Sequence, residues 1–238
     1  MDSFELTRGD GSNIENEFQN NKSDYLGIIF SGLGYSYKNP LLYYTRNILL
    51  ESKLDYFGIE FGYSKNRNFL GLSRELRSQF FYNDNGIIIN KISELSNNYK
   101  RIILIGKSLG TSTVRQCIKY ESIRSKSAII LLTPSNEWEP FIDEIKTIDN
   151  RVLVIGSLAD KLYTVKNLSD IYRKKNIDLY ELKTADHSLE VNDTLEDIEE
   201  LKVIIKKIKK FIGKAIKTVP PVKQNIKLLS PPINQGQE

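Results

Sequence analysis

The stretch that most constrains this chain is RIILIGKSLGTS, residues 101–112. Its apolar run, 102–105, is mostly β-branched, which is typical of a strand buried on both faces of a parallel sheet. The next five residues, 106–110, read GKSLG and fit G-x-S-x-G. This is the pattern of a nucleophile elbow, in which a serine sits on a strained strand-to-helix turn with its hydroxyl in the open. We expect the strand to stop at Gly106 and a helix to follow Ser108.

The alternative for this stretch is an ordinary glycine-rich turn between a strand and a helix. A phosphate-binding turn would require G-x-G-x-x-G or G-x-x-x-x-G-K-[ST]. Neither pattern occurs here. The motif therefore favours the elbow and makes Ser108 the candidate nucleophile.

The rest of the chain alternates strand and helix signals. A short edge hairpin is expected from Phe4 to Thr7 and from Asn13 to Phe18, and the segment from Gly62 to Asn85 is expected to be a short helix and a loop. The further strands predicted are 25–30, 55–61, 128–132, 152–155 and 177–182, and the further helices are 40–50, 86–99, 113–123, 141–148 and 165–175. Because parallel neighbours need right-handed helical crossovers, the alternation predicts an α/β fold with a mainly parallel, doubly wound sheet and helices on both faces.

The predicted last helix runs from Asp193 to Lys217. Its acidic residues gather at the start and its lysines at the end, which the helix dipole favours. One apolar stripe is expected to face the sheet, namely Leu195, Ile198, Leu201, Ile205, Ile208 and Ile212. We expect residues 1–217 to form a single domain and residues 218–238, with two pairs of prolines, to form a flexible tail.

Composition excludes several function classes. The 238 residues carry 34 basic and 30 acidic side chains, and a net charge of +4 is too weak a bias to indicate nucleic acid as a partner. No apolar stretch approaches the ~20 residues of a membrane span, and the first residues lack the pattern of a secretory signal. With one cysteine and one histidine in the chain, a zinc cluster is not expected. We expect a cytoplasmic protein without metal or cofactor.

A serine hydroxyl is a poor nucleophile unless a neighbouring base takes its proton, and that base is usually a histidine oriented by a carboxylate. The single histidine, His187, follows the last predicted strand, at the sheet edge where ligand sites of parallel sheets form. The chain order Ser, Asp, His favours Asp160, which follows the strand 152–155. The other candidate carboxylates are Glu137, Glu139 and Asp186. A lone histidine can also be a plain surface or core residue, and Asp160 can be a helix cap or a solvated loop acid.

Together, the elbow at Ser108, Gly32-Leu33 after an early strand, Asp160 and His187 resemble the α/β-hydrolase superfamily. The resemblance spans residues 20–215 and implies that Ser108 is the nucleophile, His187 the general base and then acid, and Asp160 the orienting carboxylate. It also implies an oxyanion hole formed by the backbone N–H groups of Leu33 and Leu109. Many members carry a histidine before this early glycine, where this chain has Ser31.

About 18 residues, Pro134 to Arg151, separate two strands where lipase-like members often insert a lid. This is room for one short helix and no lid domain, so the chain is similar to the small lidless hydrolases of the dienelactone hydrolase-like branch, although those often carry a cysteine at the elbow. Four loop aromatics are candidates for lining a pocket or for plain packing, namely Tyr35, Tyr37, Trp138 and Tyr163.

The function these features predict is a serine hydrolase that cleaves a carboxylic ester or thioester of a small acyl substrate through an acyl-enzyme on Ser108. Two alternatives stay open. A peptidase or acyltransferase could use the same three residues. A non-catalytic binding protein could keep the fold and use the basic last helix and the tail as its contact surface.

Overall fold

The structure is a computed structural model, which describes residues 2–134, 144–145, 147–163 and 174–217. Its sheet has seven strands in the order β1-β3-β2-β4-β5-β6-β7, and all neighbours are parallel except β1, which is antiparallel to β3 at one edge. The strands are β1 Glu15–Gln19, β2 Tyr25–Phe30, β3 Asp55–Glu60, β4 Arg101–Lys107, β5 Ser127–Leu132, β6 Val152–Ser157 and β7 Ile177–Leu182. The predicted mainly parallel sheet is confirmed.

Helices pack on both faces of the sheet, as predicted. The described helices are α1 Pro40–Glu51, α2 Arg67–Leu70, α3 Arg74–Ser96, α4 Leu109–Cys117, α5 Glu121–Arg124 and α6 Thr194–Lys217, with a 3-10 turn over Tyr63–Lys65. Helices α1 and α6 share one apolar core with one face of the sheet, while α3, α4 and α5 share a second core with the other face.

The central strand β4 contributes to both cores. All seven of its residues are buried. Ile102 and Leu104 belong to the core under α3 and α4, and Ile103 and Ile105 belong to the core under α1 and α6. Since successive side chains of a strand point to opposite faces, a continuous apolar run is what a strand covered on both sides requires. Each such side chain stabilises the fold by about 1.5–3 kcal/mol when it is fully buried.

The amino-terminal hairpin is looser than predicted. β1 lies at the edge of the sheet as expected, but the segment from Phe4 to Thr7 is not a strand, and its pairing with residues 13–18 includes an isolated bridge between Thr7 and Asn13. The side chain of Asn16 explains the difference. Its Oδ1 accepts from the Phe4 N–H at 2.8 Å and its Nδ2 donates to the Phe4 carbonyl at 2.8 Å, so at Phe4 a side chain replaces the backbone bonds of a ladder.

The predicted loop before Gly86 is wrong, because α3 is one continuous helix of 23 residues. The Ser73 hydroxyl caps its first turn. The polar residues in its middle are not solvated, since Asp84 is buried and accepts hydrogen bonds from Arg8 Nε at 2.8 Å and from the Tyr63 hydroxyl at 2.7 Å. Partners distant in the sequence therefore allow polar residues inside a packed helix.

Two other helices differ from their predicted form. The helix expected over 113–123 ends at Cys117, and a separate turn, α5, carries the fully buried Ile123 into the core. The predicted stripe of α6 is wrong at its start, because Leu195 and Ile198 are 75% and 55% exposed. Only the later turns of α6 cover the sheet, and the helix buries Ile204, Ile208, Phe211, Ile212 and Ala215.

Several predictions fall wholly or partly outside the described residues. They are the helices over 141–148 and 165–175, the side chains of Glu137, Trp138 and Glu139, the absence of a lid between β5 and β6, and the tail over 218–238. In the described part of the chain, none of the helices combines the length and the apolar character that a membrane span requires.

Candidate active site

The elbow is a sharp turn between β4 and α4. β4 continues one residue beyond its predicted end at Gly106, because Lys107 still pairs with the neighbouring strand β5. Ser108 then adopts φ 51° and ψ −114°, and α4 begins at Leu109. A positive φ is unfavourable for a residue with a side chain, and such strain is concentrated at functional sites. The Ser108 N–H donates to the Leu132 carbonyl at 2.9 Å, which fixes the turn against the end of β5.

Both glycines of the motif allow backbone segments to approach each other. A β-carbon at Gly106 would lie 2.5 Å from the Gly110 carbonyl oxygen, and one at Gly110 would clash with the carbonyl oxygen of Phe30. These neighbours are backbone atoms, which cannot swing away as a side chain would. Glycine at the two positions therefore allows the turn to close against β2.

The structure brings Ser108, Asp160 and His187 together from three loops at the carboxyl edge of the sheet. His187 Nε2 lies 2.7 Å from Ser108 Oγ, and His187 Nδ1 lies 2.6 Å from Asp160 Oδ2. The Asp160 side chain is 2% exposed, whereas that of His187 is 29% exposed. The geometry is that of a hydroxyl, an imidazole and a carboxylate in one hydrogen-bonded chain, open to solvent on the hydroxyl and imidazole side.

Local hydrogen bonds hold the Asp160 carboxylate in place. Its Oδ1 accepts from the Leu162 N–H at 2.9 Å, which leaves Oδ2 for the imidazole. The loop that carries it is tied to the histidine loop, since the Ser157 hydroxyl donates to the Ala185 carbonyl at 2.5 Å. The carboxylate and the imidazole therefore belong to loops that are fastened to each other.

The rival carboxylate Asp186 has a different task. Its Oδ1 accepts from the N–H groups of Ser188 at 2.7 Å and Glu190 at 3.0 Å, and it builds the turn that follows His187. The other two rivals, Glu137 and Glu139, lie outside the described residues. Of the carboxylates that the structure describes, the one bonded to the imidazole is that of Asp160.

The pKa of His187 is lowered from its ordinary value of 6.5. Burial is the largest cause, and the positive charge of Lys107 is the second. The hydrogen bond and the charge of Asp160 act in the opposite direction and do not outweigh them. The imidazole is therefore neutral at neutral pH, which is the form that can accept a proton.

The loop after β2 passes beside the serine. A β-carbon at Gly32 would lie 3.5 Å from Ser108 Cβ, so Leu33 follows at the edge of the site. Leu109 is the first residue of α4, where backbone N–H groups have no partner inside the helix. Ser31 occupies the position before Gly32 at which many members of the family carry a histidine. Its hydroxyl accepts a hydrogen bond from the Phe61 N–H at 3.1 Å. That the amides of Leu33 and Leu109 hold an oxyanion stays a prediction.

The loop aromatics divide into packing and lining residues. The Tyr37 hydroxyl donates to Glu15 at 2.9 Å and the Tyr163 hydroxyl donates to Glu181 at 2.8 Å, and both rings are buried. Tyr35 lines a cavity of about 190 Å³ between α1, the turn after His187 and the start of α6. Ser108, Asp160 and His187 do not line that cavity.

Lys107 and Thr133 lie beside the site and were not predicted from the sequence to belong to it. Lys107 is fully buried, and its Nζ lies 2.5 Å from Thr133 Oγ1 and 2.8 Å from the His187 carbonyl oxygen. The sequence signal for Lys107 was its position between Gly106 and Ser108 of the elbow motif, at the end of an otherwise apolar strand. In the described residues, no cluster of three or more His, Cys, Asp or Glu side chains could hold a metal ion.

Comparison with known proteins finds no matching family model and no matching curated protein. Solved structures do match. Est1E from Butyrivibrio proteoclasticus with ferulic acid bound has a TM-score of 0.63 at 15% identity, over 91% of this chain and 100% of that one. The esterase Pf2001 from Pyrococcus furiosus has a TM-score of 0.61 at 16% identity, over 90% of each chain.

A serine hydrolase without a lid from Xanthomonas campestris matches with a TM-score of 0.55 at 14% identity, over 88% of this chain and 86% of that one. At these identities the likeness concerns the fold. This likeness in fold agrees with the strand order of the sheet, with its two helical layers and with the turn at the end of β4. The resemblance to the dienelactone hydrolase-like branch stays a prediction. The chain has the α/β-hydrolase fold.

Proposed function

We propose that this protein is a serine hydrolase that cleaves a carboxylic ester or thioester of a small substrate through an acyl-enzyme on Ser108. The observation that carries the proposal is the hydrogen-bonded chain from Ser108 Oγ through the His187 ring to Asp160 Oδ2, with distances of 2.7 Å and 2.6 Å. The first distance lies within the range that proton transfer from the hydroxyl to a general base requires, and the second is a hydrogen bond that orients that base.

The first half of the reaction forms the acyl-enzyme. Ser108 Oγ attacks the carbonyl carbon of the substrate while His187 Nε2 takes the hydroxyl proton, and the carbonyl oxygen becomes an oxyanion. The N–H groups of Leu33 and Leu109 stabilise that oxyanion. The bond to the leaving alcohol or thiol then breaks, and the leaving group takes the proton from His187.

The second half of the reaction hydrolyses the acyl-enzyme and regenerates the free enzyme. A water molecule attacks the acyl carbon and gives its proton to His187, and the carboxylic acid leaves as Ser108 Oγ regains that proton. Asp160 accepts from Nδ1–H throughout, which keeps the tautomer whose Nε2 is free to accept a proton and stabilises the imidazolium when it forms.

The comparisons support this class of reaction. Pf2001 is described as an esterase and Est1E was solved with ferulic acid bound, and both share the fold over nine-tenths of this chain. The open edge beside His187 and the short connection between β5 and β6 are consistent with a small substrate that needs no lid.

The test is hydrolysis of a series of nitrophenyl esters and acyl thioesters of increasing chain length by the purified chain. We expect turnover that Ser108→Ala and His187→Ala abolish, because the first lacks the nucleophile and the second lacks its base. Ser122→Ala removes an exposed serine on α5 and serves as the matched control, with activity equal to wild type. Equal activity in Ser108→Ala would refute the proposal. Cleavage of amides alone would favour a peptidase.

A further inference from the structure

Lys107 places an ammonium group inside the protein, directly behind the candidate catalytic histidine. Its side chain is 0% exposed. Nζ donates to Thr133 Oγ1 at 2.5 Å and to the His187 carbonyl oxygen at 2.8 Å, and it lies 4.9 Å from the centre of the Tyr35 ring. Two neutral oxygens and one aromatic face therefore surround this cation.

No carboxylate of the described residues forms an ion pair with Lys107 within 4.0 Å. Burying an ammonium group without a paired anion is costly, and lysine is rarely found fully buried for that reason. Burial lowers the pKa of Lys107 to about 7, against the weaker opposing charges of Asp160 and Asp186. Among the described residues, the two oxygen acceptors and the Tyr35 ring are thus what offsets the desolvation of this ammonium group.

The contacts of Lys107 join three loops at the carboxyl edge of the sheet. The residue itself ends β4 and precedes Ser108, Thr133 follows β5, and His187 follows β7. The bond from Lys107 Nζ to the His187 carbonyl therefore connects the backbone of the histidine, through the lysine side chain, to the strand that precedes the serine. A shift of about 1 Å in the position of a reacting group can lower a rate by roughly a hundredfold.

We propose that Lys107 is a positioning residue for His187, which it fastens to the end of the nucleophile strand, and that its charge helps to keep the imidazole neutral. The inference rests on the proposed function, in which a neutral His187 accepts the proton of Ser108. Lys107 acts through the histidine.

The charges that face His187 act in two directions. Asp160 and Asp186 favour the protonated imidazole, and Lys107 opposes it. The charged or titratable groups that face Lys107 are His187, Asp160, Asp186 and the ring of Tyr35. Removing the Lys107 charge leaves the two carboxylates unopposed, so the pKa of His187 should rise in a Lys107→Met variant.

Since His187 is the single histidine of the chain, its ring resonances can be identified without assignment of the rest of the protein. The experiment is an NMR titration of those resonances in wild type, Lys107→Met, Lys107→Gln and Thr133→Val. Thr133→Val is the matched control, because it removes one partner of the ammonium group and keeps the charge. Wild type should titrate below 6.5.

We expect Lys107→Met and Lys107→Gln to raise the midpoint by roughly 0.5–1 pH unit and Thr133→Val to leave it within about 0.2. The kcat for ester hydrolysis should fall roughly ten- to a hundredfold in Lys107→Met, because the histidine loop is no longer fastened to β4, with KM nearly unchanged. The acid limb of kcat/KM should move to higher pH by the same amount as the NMR midpoint.

A wild-type midpoint in both neutral variants would overturn the proposal, as would an unchanged kcat in Lys107→Met. If the methionine variant does not fold, the glutamine variant decides, since it keeps a donor at this position without the charge. The titration needs no catalysis. A shifted midpoint in a protein that hydrolyses none of the esters would support the role of the Lys107 charge and refute the proposed function, so the two failures are distinguishable.

Discussion

Arg8 and Lys107 are both buried cations, and the protein treats them differently. Arg8 Nε lies 2.8 Å from Asp84 Oδ2, with side chains only 7% and 3% exposed. The same guanidinium donates to the Phe61 carbonyl at 2.9 Å, and the Asp84 carboxylate accepts a second bond from Tyr63. Lys107 has two neutral oxygens and no ion pair among the described residues.

The difference shows what each cation does. In the Arg8 group the charge is paired with Asp84 and each of the three guanidinium nitrogens donates to an acceptor, and the group joins the amino-terminal segment to α3. Such a network has a structural role. Lys107 has no paired carboxylate among the described residues, and it lies against the backbone of His187. Ionisable groups perturbed by burial cluster at functional sites.

The largest effect should come from Asp160→Asn, which alters the site and leaves the Arg8 network untouched. The Leu162 N–H holds the oxygen of the new amide, so the amide NH2 faces Nδ1 and donates to it, which selects the tautomer whose Nε2 already carries a proton. We expect kcat for ester hydrolysis to fall by about four powers of ten, with a nearly unchanged free energy of unfolding. Steady-state kinetics measures the change in kcat, and urea unfolding measures the free energy of unfolding. Activity within tenfold of wild type would assign the carboxylate role elsewhere.

Arg8→Met should have the opposite profile. It leaves Asp84 buried without its cation, which costs about 3–5 kcal/mol of stability. The NMR midpoint of His187 should stay at the wild-type value, because Arg8 makes none of the contacts of the site. The matched control is Lys100→Met, since Lys100 pairs with Asp24 at the surface and such pairs contribute at most about 1 kcal/mol. Equal losses in the two variants would contradict the distinction.

The pH dependence of stability should identify Lys107. Its pKa is about 7 in the folded state and the ordinary 10.5 in the unfolded state. Between these values the unfolded chain binds more protons, so this group makes the fold more stable as pH rises and less stable below pH 7. From pH 7 to 9.5 the free energy of unfolding should rise by about 3 kcal/mol more in wild type than in Lys107→Met. If the free energy of unfolding depends on pH equally in wild type and in Lys107→Met, the pKa of Lys107 in the folded protein is not lowered.

The smallest effect should be that of Thr133→Val. The replacement keeps the branched shape and removes one acceptor from the ammonium group, which costs about 1.5 kcal/mol of stability. kcat should fall only a few-fold, because the bond from Lys107 to the His187 carbonyl remains. Chemical unfolding and initial rates measure both. A kcat loss as large as that of Lys107→Met would move the positioning role to the hydroxyl.

The sequence predicts well what depends on neighbouring residues. The apolar run of β4 and the glycines of the elbow are local signals, and the structure has a strand and a strained turn there. The meeting of His187 with Ser108, 79 residues apart, could be anticipated only because loops at the carboxyl ends of parallel strands converge.

What the sequence did not reveal depends on distant partners. From the sequence alone, Asp84 favours a loop. In the structure it lies inside α3, where its charge is paired with that of Arg8, 76 residues away. The position of Lys107 at the end of an apolar strand is a local signal of burial, but its partners come from the ends of β5 and β7 and are not local. The first turns of α6 carry apolar residues with helical spacing, yet Leu195 and Ile198 remain exposed.

Activation of the Ser108 hydroxyl by His187 is tested most directly by labelling with a fluorophosphonate, followed by mass spectrometry of the peptides. We predict one adduct, on Ser108, formed in wild type and in Ser122→Ala and absent from Ser108→Ala and His187→Ala. An adduct on another serine, or undiminished labelling after loss of the imidazole, would contradict a hydroxyl activated by His187.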